Sequence, residues 1–146
     1  MVDTVIETII ENICAALGTE FGDKYTLYRE EAEQDLKKPC FFISCINSAS
    51  KLFSGKRYFR SSQFSIRYFP EEETNKNKEC CGVAERLLTC LEYLHVSGIP
   101  VRGTRMRYEA ADGMLHFYVN YDLFVYKVSE TVPVMEEVSS ETSVKG

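Results

Sequence analysis

Two histidines, His95 and His116, and six cysteines, Cys14, Cys40, Cys45, Cys80, Cys81 and Cys90, are the residues best suited to nucleophilic or metal chemistry. A cysteine nucleophile needs a nearby base, and a zinc site needs paired ligands at close spacing. The cysteines form no paired C-x-x-C knuckles, and only the two histidines could complete a mixed metal site. His116 stands in a long alternating stretch, and Asp122 lies about 20 Å further along an extended chain. It reads as a satisfied polar residue, and His95, at the end of a helical pattern, as a cation suited to the helix dipole. Gly98-Ile99-Pro100-Val101-Arg102-Gly103 lacks the strand-turn-helix context of a phosphate loop. Glu71-Glu72-Glu73 reads as a solvated turn. Cys14, Cys80 and Cys90 fall in helical patterns and Cys40 and Cys45 in a strand, which makes the thiols small hydrophobes. No catalytic site, cofactor or metal is expected, and an enzyme built on His116 and a cysteine is the weakest reading.

A different constellation is basic. Lys51, Lys56, Arg57, Arg60 and Arg67 interleave with Phe53, Tyr58 and Phe59, the ingredients of a surface that tracks a nucleic-acid backbone. Against that stand a net charge of −5 and no recognition-helix pattern. The alternative is that these bases meet an acidic surface on a neighbouring copy or partner. That alternative is preferred, because acidic segments exist in the same chain. Met1 to Asp35 holds nine acids and two bases, Leu36 to Pro70 seven bases and no acid, and Glu71 to Pro100 six acids and three bases. Either the folded particle is dipolar, or these segments interleave and neutralise one another.

The elements that must position these residues follow from periodicity. Val2, Val5, Ile6, Ile9, Ile10, Ile13, Ala16 and Leu17 recur at helical spacing, with Thr4 to Glu7 as a capping box, Asp3 as an equally good cap and Gly18 as the stop. Tyr25 to Tyr28 reads as a short strand, and Glu30 to Asp35 as a charged connector. Cys40 to Ile46 is apolar on both faces, as in a central strand. Arg57 to Phe69 alternates, and Pro70 closes it. The segment between, Asn47 to Arg60, is expected to be a long, loop-rich, basic hairpin tip. A second helix, capped by Asn75 or Asn77, carries Val83, Ala84, Leu87, Leu88, Leu91 and Leu94 and ends at Gly98 and Pro100. Val101 to Tyr108 resumes alternation. Asp112-Gly113 then turns the chain into a strand running to Tyr126, its odd positions from Leu115 to Val125 all apolar or aromatic.

The predicted class is α+β. A mostly antiparallel sheet of about five strands carries two helices on one face, in the order α-β-β-β-α-β-β. The other sheet face needs a partner or polar side chains. At 146 residues and 45% hydrophobic content the chain is read as one domain, 1–128, followed by a polar arm and tail, 129–146. Pro133 to Val138 is apolar enough to dock on a neighbouring subunit. No secretory signal and no apolar run of ~20 residues is seen, so a soluble, cytoplasmic protein away from membranes is expected.

With these elements in place, the chain resembles the tail terminator proteins of phages and phage-tail-like particles, in particular those of contractile tails of Gram-positive bacteria. The resemblance rests on Pro39-Cys40-Phe41-Phe42-Ile43 and on Arg57-Tyr58 followed by Phe64 to Pro70. It also rests on Arg102-Gly103-Thr104, and on Asp112-Gly113-Met114-Leu115-His116-Phe117 leading to Tyr121. It implies a homo-oligomeric ring, typically a hexamer, at the head-proximal end of a tail tube. Tail tube protein, sheath protein and, in a true phage, a head-tail connector would be the partners. It implies a place in the virion or tail-like particle after assembly in the host bacterial cytoplasm, and no nucleic acid contact except DNA passing the ring lumen. The interface residues expected on this basis are Lys51, Lys56, Arg57, Arg60, Arg67, Arg102, Arg105, Arg107, Pro133, Val134 and Met135.

Overall fold

In the computed structural model two helices cover one face of a seven-stranded sheet. The structure describes residues 5–29, 37–71, 74–127 and the backbone of 133–135. The helices are α1 (Val5–Phe21) and α2 (Lys76–Cys90). The strands are β1 (Thr26–Tyr28), β2 (Cys40–Ser54), β3 (Arg57–Phe69), β4 (Tyr93–Val96), β5 (Ile99–Ala111), β6 (Met114–Lys127) and β7 (Pro133–Met135). Their spatial order is β1-β2-β3-β6-β5-β4, with β7 paired to β6. Among the described residues the β1–β2 pair is parallel and the other pairs are antiparallel. The α+β class stands as expected, with two short strands, β4 and β7, added to the five.

The core follows from two periodicities meeting. On α1, Val5, Ile9, Ile13, Leu17 and Phe21 are buried at four-residue steps. They meet a sheet face made of alternate residues: Phe41 and Ile43 on β2, Phe64, Ile66 and Tyr68 on β3, and Leu115, Phe117, Val119 and Tyr121 on β6. The register sets these side by side, Ile43 opposite Ile66 and Ile66 opposite Phe117. Each such side chain contributes roughly 1.5–3 kcal/mol on burial, which dominates the local propensities. From α2 come Cys80, Val83, Ala84 and Leu87. Tyr68 fastens this helix to the sheet, its hydroxyl donating to Glu79 Oε2 at 2.5 Å. Arg86 fastens it to α1, with Nε donating to Glu20 Oε2 at 2.9 Å and Nη2 to the Glu20 carbonyl at 2.8 Å. A guanidinium there also suits the negative end of the α1 dipole.

Several boundaries differ from the sequence reading. The first helix runs through Gly18 and stops at Gly22, whose φ of 86° is the left-handed conformation a helix end favours. Burial of Phe21 against Phe41 and Tyr25 holds the last turn in place. The second helix ends at Cys90, earlier than expected. Leu91 and Leu94 are buried as predicted, but Leu94 sits on β4, paired with Val101 across a Ser97-Gly98 turn. His95 therefore lies on a strand opposite Pro100, not at a helix end. Asn75 occupies the N-cap of α2 through a left-handed backbone and makes no side-chain cap bond. Asn47 to Arg60 is no loop: β2 and β3 stay paired out to Ser54 and Arg57, leaving a two-residue turn. The Asp112-Gly113 turn is as expected, with φ of 57° and 74°, the positive pair a tight hairpin needs. The capping box at Thr4, the connector 30–36 and most of the arm 129–146 lie outside the described residues.

Candidate functional site: the sheet face opposite the helices

Because β-strand side chains alternate, the ladder that builds the core also fixes what looks the other way. Crossing the sheet, Phe42, Arg67, His116 and Glu109 form one row, and Ser44, Ser65, Tyr118 and Arg107 the next. Asn47, Gln63, Asn120 and Thr104 follow, then Ala49, Ser61 and Asp122. The last rows, toward the hairpin end, bring Lys51, Phe59 and Phe124 together and then Arg57 and Tyr126. Aromatic rings and cations thus share a face that neither of the described helices covers.

The cations lie on the rings. The Arg57 guanidinium sits 4.3 Å from the Phe124 ring centre and 5.3 Å from that of Phe53. Arg67 lies 5.2 Å above Phe42, and Arg107 4.2 Å above Tyr118. Such stacking fixes the plane of each guanidinium. At the hairpin end Phe53 and Phe59 each pack edge-on against Phe124. Lys51, Phe53, Phe59 and Phe124 line an open hollow of about 280 Å³. Leu52 and Phe53 are 57% and 59% exposed, an unusual apolar surface for a hairpin tip. Mid-face, Asn120 Oδ1 and Asp122 Oδ1 are buried yet have no hydrogen-bond partner. Burying such atoms costs about 1–3 kcal/mol each unless something outside supplies donors.

The expected interface residues divide by face. Lys51, Arg57, Arg67 and Arg107 share the helix-free face, and Arg102 also points away from the core, 4.0 Å from Glu92. Arg60 points to the opposite side of the ribbon, where its Nη2 donates to Ser48 Oγ at 3.3 Å and its Nε is buried with no partner. Lys56 is in the turn. Arg105 occupies a β-bulge between Thr104 and Arg107, with φ of 52°, so it leaves the ladder altogether. Pro133, Val134 and Met135 pair with Lys127, Tyr126 and Val125 of the same chain. On the helix layer, α1 carries Glu7, Glu11 and Glu20 and no base. The other helix, α2, is mixed, with Lys76, Lys78 and Arg86 beside Glu79 and Glu85, so only α1 is uniformly acidic, and Glu109 and Asp122 are acids on the basic face. The aromatic half of this face is Phe42 of β2 with Tyr118, Phe124 and Tyr126 of β6, the last three being apolar even positions of the long strand.

The other candidates gather no site. His116 lies across from Arg67 and Glu109, with no cysteine as a strand partner. All six cysteines are free. Burial pushes the thiols of Cys40 and Cys45 upward, that of Cys80 to about 11 and that of Cys90 to about 12, the opposite of nucleophile activation. Among the described residues no group of three or more His, Cys, Asp or Glu could hold a metal. Among the described residues no helix is long and apolar enough to cross a membrane.

Among the described residues, a helix-backed sheet presents a basic, aromatic face with the features of a contact surface. Residues 8–133 match the family described as phage tail terminator protein, and the chain belongs to that family. No curated protein matches it in sequence. Among solved structures it is similar to the cryo-EM structure of the sheath/tube terminator of an extracellular contractile injection system, PVC, in the extended state. That likeness has a TM-score of 0.51 at 13% identity and covers 99% of this chain and 66% of the other. The chain thus spans just under two thirds of that protein's length, and the likeness is one of fold.

Proposed function

We propose that this chain is a structural tail terminator. Copies of it form a ring, a hexamer, on the head-proximal end of a phage or phage-like tail tube, stop tube and sheath polymerisation, and join the tail to a head or collar. Family membership over residues 8–133 carries this reading. The fold likeness to a protein titled a sheath/tube terminator supports a contractile system, with tube and sheath proteins as partners and the tail-like particle as the place of action.

The mechanism is surface complementarity. A ring subunit binds the last tube ring with one surface and presents to solvent another that is unlike tube, so growth ends. The helix-free face and the β2–β3 ribbon are the contact elements, with Lys51, Lys56, Arg57, Arg60, Arg67, Arg102, Arg105 and Arg107 facing acids on neighbours. The unpartnered Asn120 and Asp122 oxygens would gain donors in such a contact. Pro133, Val134 and Met135 extend the same edge beside β6. Base stacking on this face is disfavoured, because Arg57, Arg67 and Arg107 already occupy ring faces of Phe124, Phe42 and Tyr118.

The deciding experiment measures the mass of the purified chain alone and after incubation with tail tubes, with electron microscopy of the tube ends. A ring on one tube end and arrested growth are expected. Tubes that lengthen unchanged in its presence overturn the role. A salt-sensitive gel shift with DNA, lost on Arg57→Glu, would favour a nucleic-acid accessory instead.

A further inference from the structure

We propose that copies of this chain join edge to edge. The outer edge of β2 in one copy pairs antiparallel with the outer edge of β5 in the next, and Lys51 of the first lies beside Glu109 of the second. The contact rests on the ring reading above and names the two surfaces by which such a ring is joined.

Both edges are open. β1 accompanies β2 as far as Phe42, and β4 accompanies β5 as far as Arg102. Among the described residues no strand pairs with the outer side of either beyond those points. Every residue of β2 from Ile46 to Ser54 is exposed, Ile46, Leu52 and Phe53 included. A strand edge is a row of unmet backbone groups, which proteins usually blunt with proline, charge or short length. This one is long, contains no proline and carries Lys51 as its one charge. On β5 the open stretch is Met106 to Ala111, bounded by the Arg105 bulge and the Asp112-Gly113 turn.

Direction and side chains fit. The β2–β3, β3–β6 and β6–β5 pairs are antiparallel, so β5 runs opposite to β2. A second copy in the same orientation therefore lays its β2 antiparallel to β5, with the helices of both copies on one side of a continued sheet. Lys51 and Glu109 both look away from the helices, and among the described residues neither makes an ion pair. Setting them opposite each other places Leu52 against Tyr108 and Ser50 against Ala110, all four on the helix side. A shift of two residues, the smallest that keeps the faces matched, would put Lys51 against Arg107 or Ala111 instead. Opposite charges thus select one register. Pairing of two β2 edges offers no such match, because Leu36 to Pro70 contains no acid.

The two edges differ, so the contact is heterologous and closes into a ring when its rotation allows. Glu109 lies in the row of Phe42, nine residues from Lys51. Successive copies are therefore staggered by about 30 Å along the strands. The strands of such a ring run inclined to its axis, as in any closed sheet.

Rings are formed on tail tubes from a mixture of unlabelled and ¹⁵N-labelled chain and treated with a carbodiimide, which joins an ammonium to a carboxylate only where the two touch. The expected product is a Lys51–Glu109 linked peptide containing one light and one heavy half. Lys51→Glu and Glu109→Lys, both at exposed positions, should each lower ring occupancy severalfold, and the chain carrying both should regain it. Rings that form without the link, with the charge variants assembling as the parent does, overturn the contact and leave the terminator role standing. Links confined to peptides of a single isotope, or Lys51 joined to the tube protein in place of Glu109, overturn it as well. Tube ends that acquire no ring overturn the terminator role and this contact with it.

Discussion

The Tyr121 hydroxyl donates to the Leu91 backbone carbonyl at 2.5 Å inside the core. Leu91 follows the last residue of α2, where helix carbonyls lack intrahelical donors. The central strand thus closes the end of the helix above it. Next to this bond, Gly103 N–H donates to the Glu92 carbonyl at 2.7 Å, so β5 is tied to the same corner. Removing the hydroxyl in Tyr121→Phe leaves a buried carbonyl without this donor. A loss of about 1–3 kcal/mol is expected in urea unfolding. An unchanged midpoint and slope would show that the bond contributes nothing.

Gly103 marks how tightly the corner is closed. A Cβ there would lie 2.8 Å from the Leu91 carbonyl oxygen and 2.9 Å from Val119 Cγ2. The first is backbone and cannot swing aside. Gly103→Ala should therefore cost about 1–3 kcal/mol by overpacking, read as a lower thermal midpoint. Gly82→Ala on α2, where nothing lies within 4 Å, is the control and should be neutral or stabilising.

Thiol chemistry gives a pH prediction with a definite sign. Desolvation, with Glu79 beside Cys80 and Glu20 beside Cys90, raises these thiols to about 11 and about 12 in the folded chain. In the unfolded chain they ionise near 8.5. Below that value both states hold their protons and the thiols do not disfavour folding. Above it only the unfolded state releases them, so stability falls as pH rises from about 8.5 toward the folded values. Buried Tyr68 and Tyr121, also raised, add the same sign at higher pH. Under reducing conditions the thermal midpoint should fall from pH 8 to pH 10, with a shallower slope in a Cys80→Ala, Cys90→Ala chain. Equal slopes would exonerate the thiols. In the native protein at neutral pH, a thiol reagent should label exposed Cys81 first and Cys40 and Cys80 only on unfolding.

Arg57 and Arg60 point to opposite sides of the β2–β3 ribbon, so single charge reversals separate its faces. Arg57→Glu and Arg107→Glu should weaken ring or tube binding about tenfold or more, since truncating one partner of a desolvated charge pair costs about 2–5 kcal/mol. Circular dichroism and melting should stay those of the folded monomer. Arg60→Glu should cost stability as well, because its guanidinium is partly buried against Ser48. Undiminished assembly in the Arg57 and Arg107 variants would move the contact to another surface.

By itself the sequence determined what depends on neighbours in the chain. Four-residue steps from Val5 to Leu17 could only be an amphipathic helix, and Asp112-Gly113 supplied the positive φ pair of a hairpin. Alternation from Leu115 to Val125 separated a buried face from an open one. Tertiary structure decided what depends on pairing partners far along the chain. Asn47 to Arg60 is rich in serine and reads as a loop, yet it is a ribbon because β6 extends beside β3 and satisfies its backbone. Leu91 and Leu94 fit a helix stripe, yet pairing of Leu94 with Val101 makes that stretch a strand. The gathering of Lys51, Arg57, Arg67 and Arg107 on one face needed the register of four strands. A one-residue slip in any of them would have turned its side chains over, and no local signal records that choice.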